Sequence, residues 1–515
     1  MTLADPSAWW KSAVVYQVYP RSFADTGASA GAAGSATQPG VGTLAGLTAH
    51  LDHLAWLGVD AMWLSPIFRS PMADFGYDVS DYCDIDPTFG DLADLDHLVS
   101  ESHARGIRVL LDWVPNHTSD QHPWFQQSRV NRTNPKADWY VWRDQPPNNW
   151  LAEFTGGQPA WTFDEVRGQY YLHCFLPEQP DLNWDNPEVE ATMHDTLRFW
   201  LDRGIDGFRM DVVHLIGKDL DVDDPADTVA AGWSHVIFND VPVTHERLRR
   251  LRRLLDSYPD DKMSVGEVYL LDEARMADYY GSDDELHLNF NFPFLWAPLQ
   301  AEALRKRIEL TVGLLATRGA CPTWVLSNHD VPRHRQRYGG GEAEARIAAA
   351  ILLTLPGTAF MFQGEELGLV DAVVPPERVV DPGGRDGCRA PLPWTSEPLH
   401  GWAGDPWLPF PPHADTLDVA SQRADPHSIL HFYQRLLRLR RSTPDLQGHD
   451  ITLVDSATDV LSYRRGEIVV LANLGDCAVV LKTSHEVLLS TEPDRAPGSV
   501  GHELPPRAAW IGRPA

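Results

Sequence analysis

Three acids stand in surroundings that suit chemistry. Asp211 follows Arg209 by two positions in GFRMD, so on an extended segment both side chains share one face. A guanidinium beside an aspartate favours its ionised form, the state a nucleophile needs. Glu267, in VGEVYL, lies among apolar residues that raise a carboxyl pKa and keep a proton ready for a leaving group. Asp330 sits beside His329 in LSNHD and can offset positive charge developing in a transition state. A carboxylate, a carboxylic acid and a third carboxylate are a set that cleaves a glycosidic bond through an oxocarbenium-like transition state. Taken singly, each has a structural reading: an ion pair, a solvated glutamate, a turn. Their ordered combination favours the chemical one.

Such residues must converge, and the surrounding pattern provides the means. Short apolar runs recur at Ala13–Tyr19, Ala61–Leu64, Val109–Val114, Gly207–Val213, Met263–Val268, Leu286–Phe290, Thr323–Leu326 and Thr358–Phe362. Helical periods such as Leu92–Arg105 and Pro187–Arg203 alternate with them, which predicts right-handed βαβ units with strands buried on both faces. Polar residues end the runs: Asn116 and His117, Arg209 and Asp211, Glu267, then Asn328, His329 and Asp330. The fold class is therefore α/β, a (β/α)8 TIM barrel whose site is assembled at the carboxyl ends of its strands.

Between Thr118 and about Asp185 the alternation breaks into a stretch dense in Trp, Asn and Pro, including WYVWRDQPPNNW, with strand-like pieces such as Gln169–Phe175. An excursion this long after the third strand predicts a small inserted domain walling a cleft. After an amphipathic helix near Ser428–Arg441 the pattern becomes alternating strands, a C-terminal antiparallel β domain. The expected division is 1–117 and 186–447 for the barrel, 118–185 for the insert and 448–515 for the β domain. The Gly/Ala/Ser tract Thr26–Gly42 is read as a flexible loop, and no internal repeat is present.

The 515 residues are 43% hydrophobic and 22% charged, ordinary for a globular chain, and no run approaches the roughly 18 apolar residues a bilayer span needs. A formal charge of −29 repels phosphate backbones and suits an uncharged substrate, so neither nucleic acid nor membrane is an expected partner. Five cysteines without CxxC spacing read as reduced thiols. With the start MTLADPSAWWKS, which has no basic cluster or apolar stretch, they point to the cytoplasm. Some of the 19 Trp residues can be sugar platforms, though most Trp residues fill cores.

GFRMD, GEVY, SNHD and DWVPNH (Asp112–His117) resemble the conserved blocks of the α-amylase family in their usual order. AVVYQVYPRSF, DFGYDVSDY, YYLHCFLPEQPDLNW and GRDGCRAPLPW are similar to its α-glucosidase and oligo-1,6-glucosidase branch, so the resemblance spans nearly the whole chain. It implies Asp211 as nucleophile, Glu267 as general acid then base, Asp330 as transition-state stabiliser and Arg209 as the residue orienting the nucleophile. It further implies that Asp74, Tyr77, His117, His329 and Arg389 hold the non-reducing glucose, Tyr77 stacking on the ring and Asp74 with Arg389 closing the pocket. Phe163 and Gln179 match weaker positions of the pocket wall, with a purely structural role equally open for each.

The implied activity is a retaining, exo-acting α-glucosidase on short oligosaccharides, α-1,4 or α-1,6, working as a monomer or homodimer without cofactor. The alternative is a transglucosidase or a sucrose or maltose isomerase, trehalose synthase-like, using the same intermediate. An RLDRD-type isomerase motif is not visible, and a catalytically dead relative is disfavoured because all three acids are present. The chain departs from the branch in two places. Relatives often carry an acidic calcium loop after the first strand, but here ADTGASAGAAGSATQPGVG offers Asp25 alone, too few hard oxygens for calcium, so no metal is expected. Val212 after the nucleophile resembles α-1,6 enzymes, while the continuation VVHLIGKDLD differs from theirs, which leaves the linkage open.

Overall fold

The computed structural model describes residues 8–26, 39–270 and 272–515. Residues 1–7 and 27–38, which hold most of the start and of the tract read as a flexible loop, lie outside the described residues.

Eight short strands build the core: β1 (Val14–Val18), β2 (Ala61–Leu64), β3 (Arg108–Trp113), β4 (Gly207–Met210), β5 (Met263–Gly266), β6 (Leu288–Asn289), β7 (Thr323–Val325) and β8 (Thr358–Phe362). Every ladder between them is parallel, and their order is β6-β5-β4-β3-β2-β1-β8-β7. The β1–β8 ladder brings the two ends of the series together and gives the (β/α)8 barrel its curvature, with β6 and β7 flanking the seam. The apolar runs are buried at nearly every position because the interior and the helical layer cover both faces. Helix Leu92–Ala104 starts at an Asp91 capping box, and Pro187–Leu201 starts with an Asn186 cap and Pro at its first position, which fixes where each strand-to-helix loop ends.

Between β3 and β4 the insert folds as a three-stranded antiparallel sheet, Gln169–Leu172 between Trp142–Arg143 and Trp161–Asp164. Its tryptophans are chiefly core: Trp142, Trp150 and Trp161 are all buried. The isolated bridge His117–Asp181, and the Leu182 amide donating to Asn116 O at 2.9 Å, fasten it to the end of β3. The loop after β4 packs onto it as well: Asn148 Nδ2 donates to Leu220 O at 3.0 Å, Trp150 Nε1 donates to Val222 O at 2.8 Å, and the Trp150 and His235 rings stack. Two walls of one cleft are thereby held together.

The chain ends in a six-stranded antiparallel sheet reached through helix Ile429–Ser442. It is pinned to the barrel through Tyr463 OH and Thr354 Oγ1, 2.6 Å apart, and through Arg465, whose guanidinium donates to Thr354 O. Among the described residues no helix is long and apolar enough to cross a membrane.

Candidate active site

Strand parity sets the centre. Arg209 is on β4, and Asp211 follows its last residue, so both side chains emerge at the carboxyl mouth with Arg209 buried beneath. The Arg209 guanidinium is the hub. Nη1 donates to Asp112 Oδ1 at 2.8 Å and to Asp211 Oδ1 at 2.7 Å, while Nη2 donates to Glu267 Oε2, from the end of β5. Glu267 Oε2 also accepts from the Val212 amide at 3.3 Å.

One guanidinium thus faces three buried carboxyl groups, and it does not neutralise them. Burial raises Asp112, to about 7, and raises both Asp211 and Glu267, while Arg209 opposes in each case. Arg209 favours the ionised form of Asp211, as its spacing predicts, while desolvation and the neighbouring carboxylates work against it, so protonation is shared across the cluster rather than set by one residue. Glu267 keeps the raised pKa that its apolar setting predicts. Asp330 goes the other way. Burial works against its charge, but the His329 ring, its Nε2 3.3 Å from Oδ2, and the Arg385, Arg389 and Arg209 guanidiniums hold it well below the usual carboxylate range, with Arg385 Nη1 at 3.0 Å and Arg389 Nη2 at 3.1 Å from Oδ1.

Around these acids lies a cavity of about 960 Å³ including its mouth, at the upper end of small-molecule sites. Of the residues named from the sequence, Asp74, Tyr77, His117, Asp211, Glu267 and Asp330 line it. Arg209, Gln179, His329 and Arg389 stand one layer behind. Gln179 Nε2 reaches Asp74 Oδ2 at 3.2 Å and His117 Nε2 at 3.1 Å. His329 stacks on Tyr77, with ring centroids 5.5 Å apart, and its Nδ1 lies 2.7 Å from Gln17 Nε2. His117 is pushed down to about 4 by burial, and burial together with nearby arginines keeps His329 neutral, so neither adds a fixed charge.

Two placements correct the sequence reading. The residue facing Asp74 is Arg385, whose Nη2 lies 2.6 Å from Asp74 Oδ1 and which lines the cavity; Arg389, fully buried, instead donates to His329 O, Asp330 and Asp381. Both arginines belong to one block, and nothing in their spacing says which faces outward. Phe163 is no part of the wall: at 48% exposure it sits on the insert's outer strand against Tyr170. The aromatic residues lining the cavity from the insert are Phe154 and Phe175, with the Arg385 guanidinium 4.2 Å from the Phe154 ring.

Sequence reasoning gave no role to Arg385, Glu153, Phe154, Phe175, Tyr269, Phe292 or Trp296, all of which line the cavity. For Arg385, Phe175 and Tyr269 the signal was their place inside the blocks GRDGCRAPLPW, YYLHCFLPEQPDLNW and GEVY; Glu153, Phe154 and Trp296 sit in turns and Phe292 opens a short helix, without such a marker. Asp25, the sole carboxylate of the loop after β1, accepts from the Gly40 and Ala403 amides at 2.8 and 2.9 Å, and no group of three or more acidic, His or Cys side chains suited to a metal occurs among the described residues.

The family model for the α-amylase catalytic domain matches residues 17–448. A probable α-glucosidase of Rhizobium meliloti (strain 1021) is 41% identical over 91% of this chain and 90% of its own length. An oligo-1,6-glucosidase of Parageobacillus thermoglucosidasius is 35% identical over 94% of this chain and 93% of its own. Among solved structures, the α-glucosyl transfer enzyme XgtA superposes with a TM-score of 0.87 at 40% identity, covering 98% of this chain and all of that one.

Proposed function

The chain belongs to the α-amylase family of glycoside hydrolases, and from that premise we propose that it is a retaining, exo-acting α-glucosidase of short oligosaccharides. One observation carries the reading: the Asp211 and Glu267 carboxyls meet the two terminal nitrogens of a single guanidinium. Two carboxyls drawn to one guanidinium support the close-set arrangement of retaining enzymes, roughly 5–5.5 Å apart, over the inverting one, where roughly 6.5–9.5 Å leaves room for water.

Assigning the cluster's retained proton to Glu267 leaves Asp211 ionised against Arg209. An Asp211 oxygen bonds to the anomeric carbon while the bond to the leaving oxygen breaks and Glu267 protonates that oxygen. Glu267, now a carboxylate, takes a proton from water, whose oxygen displaces Asp211 from the carbon and restores both groups. Asp330, held ionised by its arginines, balances charge on the sugar ring. Asp74, Tyr77, His117 and Arg385 form the glucose pocket, with Gln179, His329 and Arg389 positioning them. The Asp74–Arg385 pair blocks extension beyond one ring, which supports exo action. All five cysteines are free thiols, in keeping with a reducing, cytoplasmic setting.

The test is release of glucose from maltose, isomaltose, sucrose, trehalose and p-nitrophenyl α-glucoside with the anomer followed by NMR. Initial α-glucose is expected; initial β-glucose would overturn the retaining assignment. A second reading, transfer of glucose to a sugar or alcohol, is supported by the likeness to an α-glucosyl transfer enzyme, and it predicts new oligosaccharides in place of free glucose.

A further inference from the structure

Glu153 has no part in the chemistry above. It comes from the insert, lines the cavity and is half-buried. Among the described residues no Lys, Arg or His lies within ion-pair reach of it, and its side chain has one hydrogen-bond partner, the Ser234 hydroxyl, which donates to Oε2. Ser234 is buried in the loop after β4, so this bond joins the insert to the opposite lip and fixes the carboxylate in place. Oε1 remains free to accept. An unpaired carboxylate kept in an apolar-lined cleft costs desolvation unless a ligand supplies donors.

The surroundings say which part of a substrate it meets. The glucose pocket is already filled by Asp74, Tyr77, His117 and Arg385. Val212, Val236 and Ile237 line the same cavity as Glu153, and its charge bears on Tyr269 together with those of Glu267 and Asp330. Tyr269, Phe292 and Trp296 line the same cavity, Trp296 with 47% of its surface exposed. A fixed acceptor and flat aromatic faces around one space suit a ring with hydroxyls on its edge and C–H groups on its face.

We infer that Glu153, held by Ser234, accepts hydrogen bonds from hydroxyls of the leaving sugar, or of the sugar acceptor in transfer, and so makes the protein select polyhydroxylated partners over aryl ones. This rests on the α-glucosidase reading. An aryl leaving group has no hydroxyl for Glu153, so substrate comparison separates recognition from general damage.

The experiment measures kcat/KM for maltose, isomaltose and p-nitrophenyl α-glucoside in the wild type, Glu153→Gln and Ser234→Ala. A hydrogen bond to a charged acceptor is worth roughly tenfold to a hundredfold. Glu153→Gln is therefore expected to lower kcat/KM about tenfold or more on the preferred disaccharide while leaving the aryl glucoside within about twofold. Ser234→Ala, which keeps the carboxylate but releases it, should lose part of the same discrimination. Equal losses on all three substrates, or no loss on any, would overturn the inference. A wild type inert towards all three would instead sink the proposed function, and this inference with it.

Discussion

Glu365, just beyond β8, is the sharpest quantitative consequence of this packing. It is 2% exposed, and its nearest ionisable partner, His334 Nδ1 at 3.8 Å, is pushed down to about 3 by burial and by neighbouring arginines, so it offers no charge at neutral pH. Burial accordingly raises Glu365 from 4.5 to about 8. In the unfolded chain the same carboxyl ionises near its ordinary value. Between about pH 4.5 and pH 8 the folded protein therefore holds a proton that the unfolded chain has lost. The slope of stability with pH is negative across that window; the contribution is fully present below about 4.5 and gone above about 8. The interval of about 3.5 pH units, at ~1.4 kcal/mol each, gives an upper bound of ~5 kcal/mol, and relaxation around the new charge brings the expected value nearer ~2–3 kcal/mol. Glu365→Gln keeps the shape and removes the titration. Urea unfolding of both proteins at pH 5, 6, 7, 8 and 9 should show the variant gaining on the wild type steadily as pH rises and levelling off above pH 8. Parallel curves for the two proteins would refute an ionisable, neutral Glu365 in the fold.

The site itself yields further outcomes. Asp211→Asn should lower kcat by about a thousandfold or more on every substrate, and retention of even half the activity would contradict its assignment. Glu267→Gln should cost maltose far more than p-nitrophenyl α-glucoside, whose leaving group needs little protonation, and equal losses would remove Glu267 as the acid. Phe154→Ala, which strips the face covering Arg385, should raise KM severalfold, whereas Phe163→Ala should stay within about twofold; the reverse result would restore Phe163 to the wall. EDTA should leave the melting temperature unchanged, since both Asp25 oxygens are committed to amides, and a fall of several degrees would reveal a structural cation. Val212→Ala should alter the ratio of isomaltose to maltose turnover, because Val212 lines the cavity beside Asp211 and Glu267; an unchanged ratio would move linkage control elsewhere.

The barrel was legible because a strand covered on both faces has one solution in sequence, a continuous apolar run. Met263–Val268 and Thr358–Phe362 announced themselves within two residues of the observed β5 and β8. The same geometry made the acids readable: a polar residue at the end of such a run can only emerge at the mouth, as Asp211 and Glu267 do. Loops obey no period. Arg385 and Arg389 are four residues apart in one irregular segment, and which of them meets Asp74 depends on a fold of the chain around Asp381 that composition does not encode. Phe154 adopts φ 62°, a left-handed conformation rare for an aromatic, and that turn directs the local chain toward the cavity while Phe163, on a regular strand, faces away.

Val212 joins the two cases. It is β-branched yet adopts φ 33° and ψ 43°, a conformation that costs of order 1–3 kcal/mol. The strain persists because the contacts on both sides of the residue over-determine it. The Val212 amide donates to Glu267 Oε2 at 3.3 Å, the Val213 amide donates to Glu267 O at 3.1 Å, and the Val212 side chain packs with Val141, Leu215 and Val236 in the cluster that joins the insert to the loop after β4. A relaxed extended residue there would carry the chain onward along β4 and away from β5. The left-handed turn instead folds it over the end of β5, so the backbone that positions Asp211 also holds Glu267, and the strain is part of what brings the two carboxyls onto one guanidinium.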